Sequence, residues 1–403
     1  MEWIVLFVLV LIVLAGAERE AKAKRIKEAY DFHPEVIVNE GNKRSARWAD
    51  EKALRKAGLF NGKGIYIGGA PESGRLMRWD GDAHGCIVAP TGLGKGTCFE
   101  EPNLLLGLDD RSVCVVDPKG EAAAVSGHYR RRLGPVFVLN PYQILLPHLK
   151  GLKQARYNSM SRLNAKDTLN FGPLSAKQAD AIVWQDEIGR ESKHWSKNAR
   201  KLIHGLIMAL VNDGGTPKAR SLVRVAEIIS TGDVYDFCRS MMKRTSDPFI
   251  RQRLSKFAVD PSKIDNKGEL ASIVSTADTE VDFLADAAIA DSLSVSDFQF
   301  ADLKKRICTV YIVLPLDYLE IASRYFRLLV SCALSELIDP AARGNVRTVM
   351  LLDEFYQYGA LSAVDNAFRM ARGARVQLFP IVTGIGDLSA RYPKTWRSFL
   401  ARL

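Results

Sequence analysis

From Gly64 onward, short apolar runs alternate with breaks carrying glycine, proline or a carboxylate: GIYIGG, HGCIVAP, SVCVVDPKG and PVFVLNP. Runs of this length, rich in β-branched residues, predict buried strands of a parallel sheet, each ending in a loop. After about residue 160 the period changes. Trp195, Ala199, Leu202, Ile203, Leu206 and Leu210 recur at helical spacing until Gly214, Gly215 and Pro217 stop the segment. Strand-like runs return as TVYIVLP at 309–315, VMLLDEF at 349–355 and RVQLFPIV at 375–382. The pattern predicts an α/β fold with a mainly parallel sheet, interrupted by an all-helical domain.

The N-terminus is of another kind. Trp3 to Ala17 is an uncharged apolar run, slightly short of the roughly 20 residues that cross a bilayer. Only Glu2 precedes it, where a secretory signal has a basic segment, so a transmembrane anchor is favoured over cleavage after Ala15-Gly16-Ala17. Arg19, Lys22, Lys24, Arg25 and Lys27 follow, and positive charge on that flank places the rest of the chain in the cytoplasm. The expected organisation is an anchor at 1–17 and a juxtamembrane connector at 18–60. Then come a nucleotide-binding domain in two parts, 61–159 and 298–403, and a helical insertion at 160–297.

Composition changes this picture little. A chain of 403 residues exceeds the usual single domain, so two globular parts are expected. Lysine and arginine number 56 against 46 acidic residues, a charge of +10 that favours nucleic acid, anionic lipid or acidic protein partners. Six cysteines without C-x-x-C spacing exclude a zinc site and fit a reducing compartment.

The candidate chemistry begins at residues 85–97, G-C-I-V-A-P-T-G-L-G-K-G-T, where an apolar strand runs into a glycine-rich turn and a lysine. Glycines let successive N–H groups of Thr91, Gly92, Leu93, Gly94, Lys95, Gly96 and Thr97 turn toward one point. A following helix start adds positive potential, and Lys95 can reach the β and γ phosphates of ATP. Ala89 stands at the first glycine position of the usual pattern. Gly96 stands at the magnesium-binding hydroxyl, which comes one residue late as Thr97.

Two apolar runs end in carboxylates, SVCVVD at Asp117 and VMLLDE at Asp353-Glu354, and either could be the strand that attends Mg2+. The second is the better candidate, with Asp353 on the metal and Glu354 as general base toward water. The stretch D-P-K-G-E brings Asp117, Lys119 and Glu121 to the same sheet edge, where ligands bind in open α/β sheets, and Asp117 is a candidate nucleotide contact. Arg130-Arg131-Arg132 reads as a solvated helix face, and His84 as a packed or exposed residue without a catalytic part.

These blocks together resemble the type IV secretion coupling proteins, TraG-like. The matches are Ala89 to Gly96, Pro102 to Leu105, Asp117 to Glu121 and Leu351 to Phe355, with Asn158, the HWSKNARKLI segment, SIVSTA at 272–277 and VYIVLP at 310–315. The resemblance spans about residues 60 to 390. It implies a RecA-like P-loop ATPase assembled as a hexamer on the inner membrane, passing single-stranded DNA, a relaxase–DNA complex or protein effectors to a secretion channel. In a ring of this kind an arginine from the neighbouring subunit completes the site, and Arg372 and Arg327 are the candidates by location.

Three departures from the family pattern are expected to matter. One short span replaces two transmembrane helices, Thr383 and Asp387 replace the usual glutamine sensors, and the chain stops at Leu403 inside the last part of the motor fold. Two other readings stay open: a catalytically incomplete nucleotide-binding receptor that docks substrate, and a general DNA translocase.

Overall fold

The computed structural model describes residues 49–183, 190–260, 267–342, 344–359, 362–393 and 395–400. The chain divides into Met1–Ala53 and Leu54–Leu403, and the fold below is that of the second unit. The expected anchor at 1–17 and most of the connector, with Arg19, Lys22, Lys24, Arg25 and Lys27, lie outside the described residues. No helix among the described residues is long and apolar enough to cross a membrane.

Nine strands are present among the described residues: β1 Ile65–Gly69, β2 Leu76–Trp79, β3 Ile87–Val88, β4 Ser112–Val116, β5 Val136–Leu139, β6 Lys153–Gln154, β7 Thr309–Ile312, β8 Thr348–Leu352 and β9 Val376–Val382. Seven form one sheet in the order β3-β9-β8-β4-β7-β5-β6. Every neighbouring pair in it is parallel. Strands β4, β5, β7, β8 and β9 are buried at every residue, which is why they read as unbroken apolar runs rather than alternating ones. Successive side chains still point to opposite faces. Cys114, Val116, Met350 and Leu352 enter one hydrophobic cluster, and Val113, Val115, Val349 and Leu351 enter another.

GIYIGG departs from its expected place. It forms β1, which pairs antiparallel with β2 outside the main sheet, with a register slip between Tyr66 and Gly68. Its glycines leave no side chains to fill a core on two faces, and of its five residues only Ile65 is buried. The hairpin is held by Asn103. Its Oδ1 accepts from the Tyr66 N–H at 2.8 Å, and its Nδ2 donates to the Tyr66 and Phe99 carbonyls at 2.9 and 2.8 Å.

Between β6 and β7 no described residue lies in a strand. The segment instead carries α2 Phe171–Ile182, α3 Arg190–Asp213, α4 Leu222–Ser230, α5 Val234–Arg244, α6 Pro248–Leu254, α7 Lys267–Val281 and α8 Ala287–Ser292. The periodic positions Ala199, Leu202, Ile203, Leu206 and Leu210 of α3 are buried, and Gly214 ends the helix at φ +82°. The helices share the cluster of Cys114 and Val116, so helical segment and sheet bury apolar surface in one core. Asn158 stands at the entry to this segment. Its Nδ2 donates to the carbonyls of Pro217, Arg220 and Ser294 at 3.1, 3.0 and 3.2 Å, tying the entry to points far along the helices.

The remaining helices follow individual strands: α1 Glu121–Leu133 after β4, α9 Leu319–Ile338 after β7, α10 Ser362–Met370 after β8, then α11 Ile385–Arg391 and α12 Trp396–Leu400. The expected solvated face at Arg130-Arg131-Arg132 holds for two of the three. Arg130 on α1 is 1% exposed and spends its donors on Thr309 Oγ1, the Leu108 carbonyl and the Arg111 carbonyl at 2.9, 2.6 and 2.7 Å. Three good acceptors make burial of one guanidinium tolerable.

Two histidines are packed as neutral rings. His84 is buried, and its Nδ1 accepts the Leu378 N–H at 3.1 Å; burial first and the Arg372 charge second lower its pKa to about 4. His204 accepts from Arg253 Nε at 3.2 Å and is likewise lowered to about 4, by burial and then by Arg253 and Arg200.

Asn158→Ala leaves three buried carbonyls short of a donor, and we expect it to destabilise the chain by about 1–3 kcal/mol. The measurement is the urea midpoint at unchanged slope. For the histidines the unfolded chain binds protons first, from the ordinary value of 6.5 downward, so stability falls as pH falls from 6.5 toward 4. Each contributes up to about 3 kcal/mol of this loss. His84→Asn, which keeps an acceptor for Leu378, should flatten the fall in melting temperature over that window, and His204 should retain its own share.

Candidate nucleotide-binding site

Parallel strands deliver their following loops to one edge, and the order β3-β9-β8-β4 makes four of those loops neighbours. They are the glycine-rich turn after β3, Thr383 to Asp387 after β9, Asp353-Glu354 after β8 and Asp117 to Glu121 after β4. The predicted phosphate and acidic residues are far apart in the chain and meet here.

In the turn, Gly92 and Gly94 take φ of +84° and +76°, the left-handed region open to glycine. A Cβ on Gly94 would also come within 2.9 Å of Thr97 Oγ1. Lys95 begins the following helix at φ −50°, ψ −49°, and Gly96–Glu100 is wound with i→i+5 bonds, the Glu101 N–H donating to the Gly96 carbonyl. Thr91, Leu93 and Thr97 are exposed on this loop, and the Thr97 hydroxyl makes one long bond, 3.4 Å, to the Gly94 carbonyl.

Lys95 Nζ lies 3.8 Å from Glu354 Oε1, with the two side chains 11% and 16% exposed. The ammonium is buried without a hydrogen bond, so this ion pair is the contact that holds it. Glu354 itself sits in a left-handed conformation, φ 48° and ψ 38°, uncommon for a residue with a side chain. The turn is closed by the Gln357 N–H on the Glu354 carbonyl at 2.8 Å.

The other carboxyls around the lysine are raised above their ordinary range. Burial raises Asp353, helped by the Glu354 charge and opposed by Lys95 and Lys119. Burial pushes Asp117 up to about 7, with Asp353 adding to it, while backbone N–H groups at the start of α1 pull the other way. One of these is the Ala123 N–H, at 2.8 Å from Asp117 Oδ2. Asp117 therefore caps a helix as well as facing the site. Glu100 was not singled out from the sequence. It is 5% exposed and raised well above the ordinary value by burial, then by Asp117 and Asp353. The doublet Glu100-Glu101 directly after a phosphate loop was the available signal.

The donors fit magnesium chemically. Asp353 and the Thr97 hydroxyl are hard oxygen ligands, and a buried carboxyl whose charged form is disfavoured is one that a cation would relieve. Thr383 and Asp387 reach the same edge, where the Thr383 hydroxyl donates to the Asp387 carboxylate. Of the two arginine candidates, Arg372 precedes β9, at the opposite end of the strands from these loops and beside His84, and Arg327 is buried on α9.

The family described as Type IV secretory system Conjugative DNA transfer matches residues 47–398. The Conjugal transfer protein TraG of Escherichia coli is 25% identical over 385 residues, covering 86% of this chain and 58% of that protein. Protein VirD4 of Agrobacterium fabrum is 25% identical over 362 residues, covering 86% of this chain and 51% of that protein. The chain thus spans about half the length of the curated relatives it matches. The plasmid coupling protein TrwB, solved with a non-hydrolysable ATP analogue, superposes with a TM-score of 0.63 at 16% identity, over 90% of this chain and 79% of that one. Its complex with ADP and Mg2+ gives 0.62 at 17% identity, over 91% and 79%. These likenesses show the same α/β NTPase fold.

Proposed function

The chain belongs to the Type IV secretory system Conjugative DNA transfer family, and from that premise we propose that it is an ATPase that couples hydrolysis to substrate delivery. The observation that carries this reading is the buried Lys95–Glu354 pair at the carboxyl edge of the sheet. It puts a candidate phosphate-binding cation and a candidate carboxylate base side by side, with no hydrogen bond on the ammonium.

In this reading the N–H groups from Thr91 to Thr97 and the Lys95 ammonium hold the phosphates of ATP. Lys95 exchanges Glu354 for a phosphate oxygen, which releases the carboxylate. Glu354 then accepts a proton from the water that attacks the γ-phosphorus, and ADP leaves. Asp353 and Thr97 would hold Mg2+, which supplies charge neutralisation on the phosphates when bound. The complexes of TrwB with an ATP analogue and with ADP and Mg2+ support both ligands for this chain. Asp117, buried at the same edge, is the further candidate contact to the nucleotide.

For the wider setting we infer what the resemblance to coupling proteins implies. The motor works as a homo-oligomer, a hexamer, with Arg372 or Arg327 offered in trans after rearrangement. Its partners are secretion channel components and single-stranded DNA, a relaxase–DNA complex or protein effectors. The apolar run at 1–17 and the basic residues behind it support a single-pass protein of the bacterial inner membrane with its bulk in the cytoplasm. A second reading, a receptor that binds nucleotide without cycling, is favoured by one feature: Thr383 and Asp387 are engaged with each other.

The test is steady-state ATP hydrolysis by the purified chain with and without single-stranded DNA. Lys95→Ala should abolish nucleotide binding and turnover. Glu354→Gln should keep binding and lower kcat by about 10²–10⁴-fold. Binding without turnover in the native chain would favour the receptor.

A further inference from the structure

Glu354 sits in the left-handed region, where a residue with a side chain stays only if its surroundings hold it there. Three contacts hold this turn. The Gln357 N–H donates to the Glu354 carbonyl at 2.8 Å and closes it from within. Phe355, fully buried, stacks parallel to Tyr392 with ring centroids 5.7 Å apart. Arg391 Nε donates to the Tyr356 carbonyl at 3.1 Å. Arg391 is the last residue of α11 and Tyr392 the one after it, so two of the three contacts come from the segment that follows β9. The same segment is tied to the phosphate loop at its other end. The Ala89 N–H, at the start of the glycine-rich turn, donates to the Val382 carbonyl at 3.1 Å, and Thr383 and Asp387 bond to each other directly after it. One short helix therefore bridges the phosphate loop and the turn that carries Glu354.

We propose that Arg391 is a positioning residue for Glu354: it grips the left-handed turn from α11, so that the carboxylate keeps its place when nucleotide takes Lys95 away. The inference rests on the water-activating role of Glu354 given above. While Lys95 faces Glu354 at 3.8 Å, the ion pair itself restrains the carboxylate. Once that partner is gone, the carboxylate depends on the backbone beneath it, and a base must stay within hydrogen-bond reach of its water. Because α11 starts beside the phosphate loop, the Arg391 bond also makes the turn follow a shift of that loop. Arg391 is exposed, so its removal leaves neither a cavity nor a buried donor, and its effect on the turn can be read by itself.

The experiment uses the full chain and four variants: Arg391→Ala, Arg391→Lys, Glu354→Gln and the double variant of Arg391→Ala with Glu354→Gln. Loosening the turn misplaces the base, so kcat of Arg391→Ala should fall about 10- to 100-fold. Affinity for a fluorescent non-hydrolysable ATP analogue, titrated separately, should stay unchanged. Arg391→Lys, whose ammonium can still donate to one carbonyl, should recover most of the lost rate. In single-turnover assays the double variant should be no slower than Glu354→Gln alone, because the arginine acts through that carboxylate. Native kcat in Arg391→Ala, analogue binding weakened to match the loss, or a lysine variant no faster than the alanine would overturn the inference. So would a further drop in the double variant, the mark of a guanidinium that acts on phosphate itself. A native chain without turnover, or a Glu354→Gln chain at the native rate, would instead overturn the water-activating role of Glu354, and the role of Arg391 with it.

Discussion

The meeting of Lys95 with Glu354 organises the edge of the sheet. A buried ammonium needs a partner, and the one it has comes from a loop two strands away, after β8. That contact exists because β9 separates β3 from β8 by one strand and all three run the same way. The glycines of the preceding turn, the left-handed Glu354 and the Asp353 beside it are positioned around the same point. In the proposed function, nucleotide chemistry at this edge depends on breaking that pair and on what each half meets next.

Desolvation gives the site its bias. Glu100 and Asp117 are buried and Asp353 is partly buried, and all three sit above their ordinary range chiefly because desolvation disfavours their charge. A phosphate chain arriving with a divalent cation supplies charge of both signs, the anion toward Lys95 and the cation toward the carboxyls. A fold stabilised by well-packed strands can hold such groups in an unfavourable state.

The sheet and its acidic ends were legible because parallel strands buried on both faces leave long apolar runs, and because ligand-facing residues follow immediately on those runs. Lys95, Asp117, Asp353 and Glu354 all belong to that class. GIYIGG had the same appearance and became a hairpin, since strand composition says little about pairing partners. Arg130 was illegible for a different reason. Its burial depends on acceptors from Leu108, Arg111 and Thr309, which come together only in the fold. Glu100 was hidden likewise, inside a glycine-rich helix start.

What the sequence determined alone was local: where the chain turns, which runs are buried, and which loops are candidates for phosphate and metal chemistry. These follow from backbone freedom at glycine and from apolar periodicity, and both act over a few residues. Which loops become neighbours was decided by strand order, and which carboxyls are raised was decided by burial. Both are sums over the whole packed chain, so only the tertiary structure could bring Lys95 against Glu354.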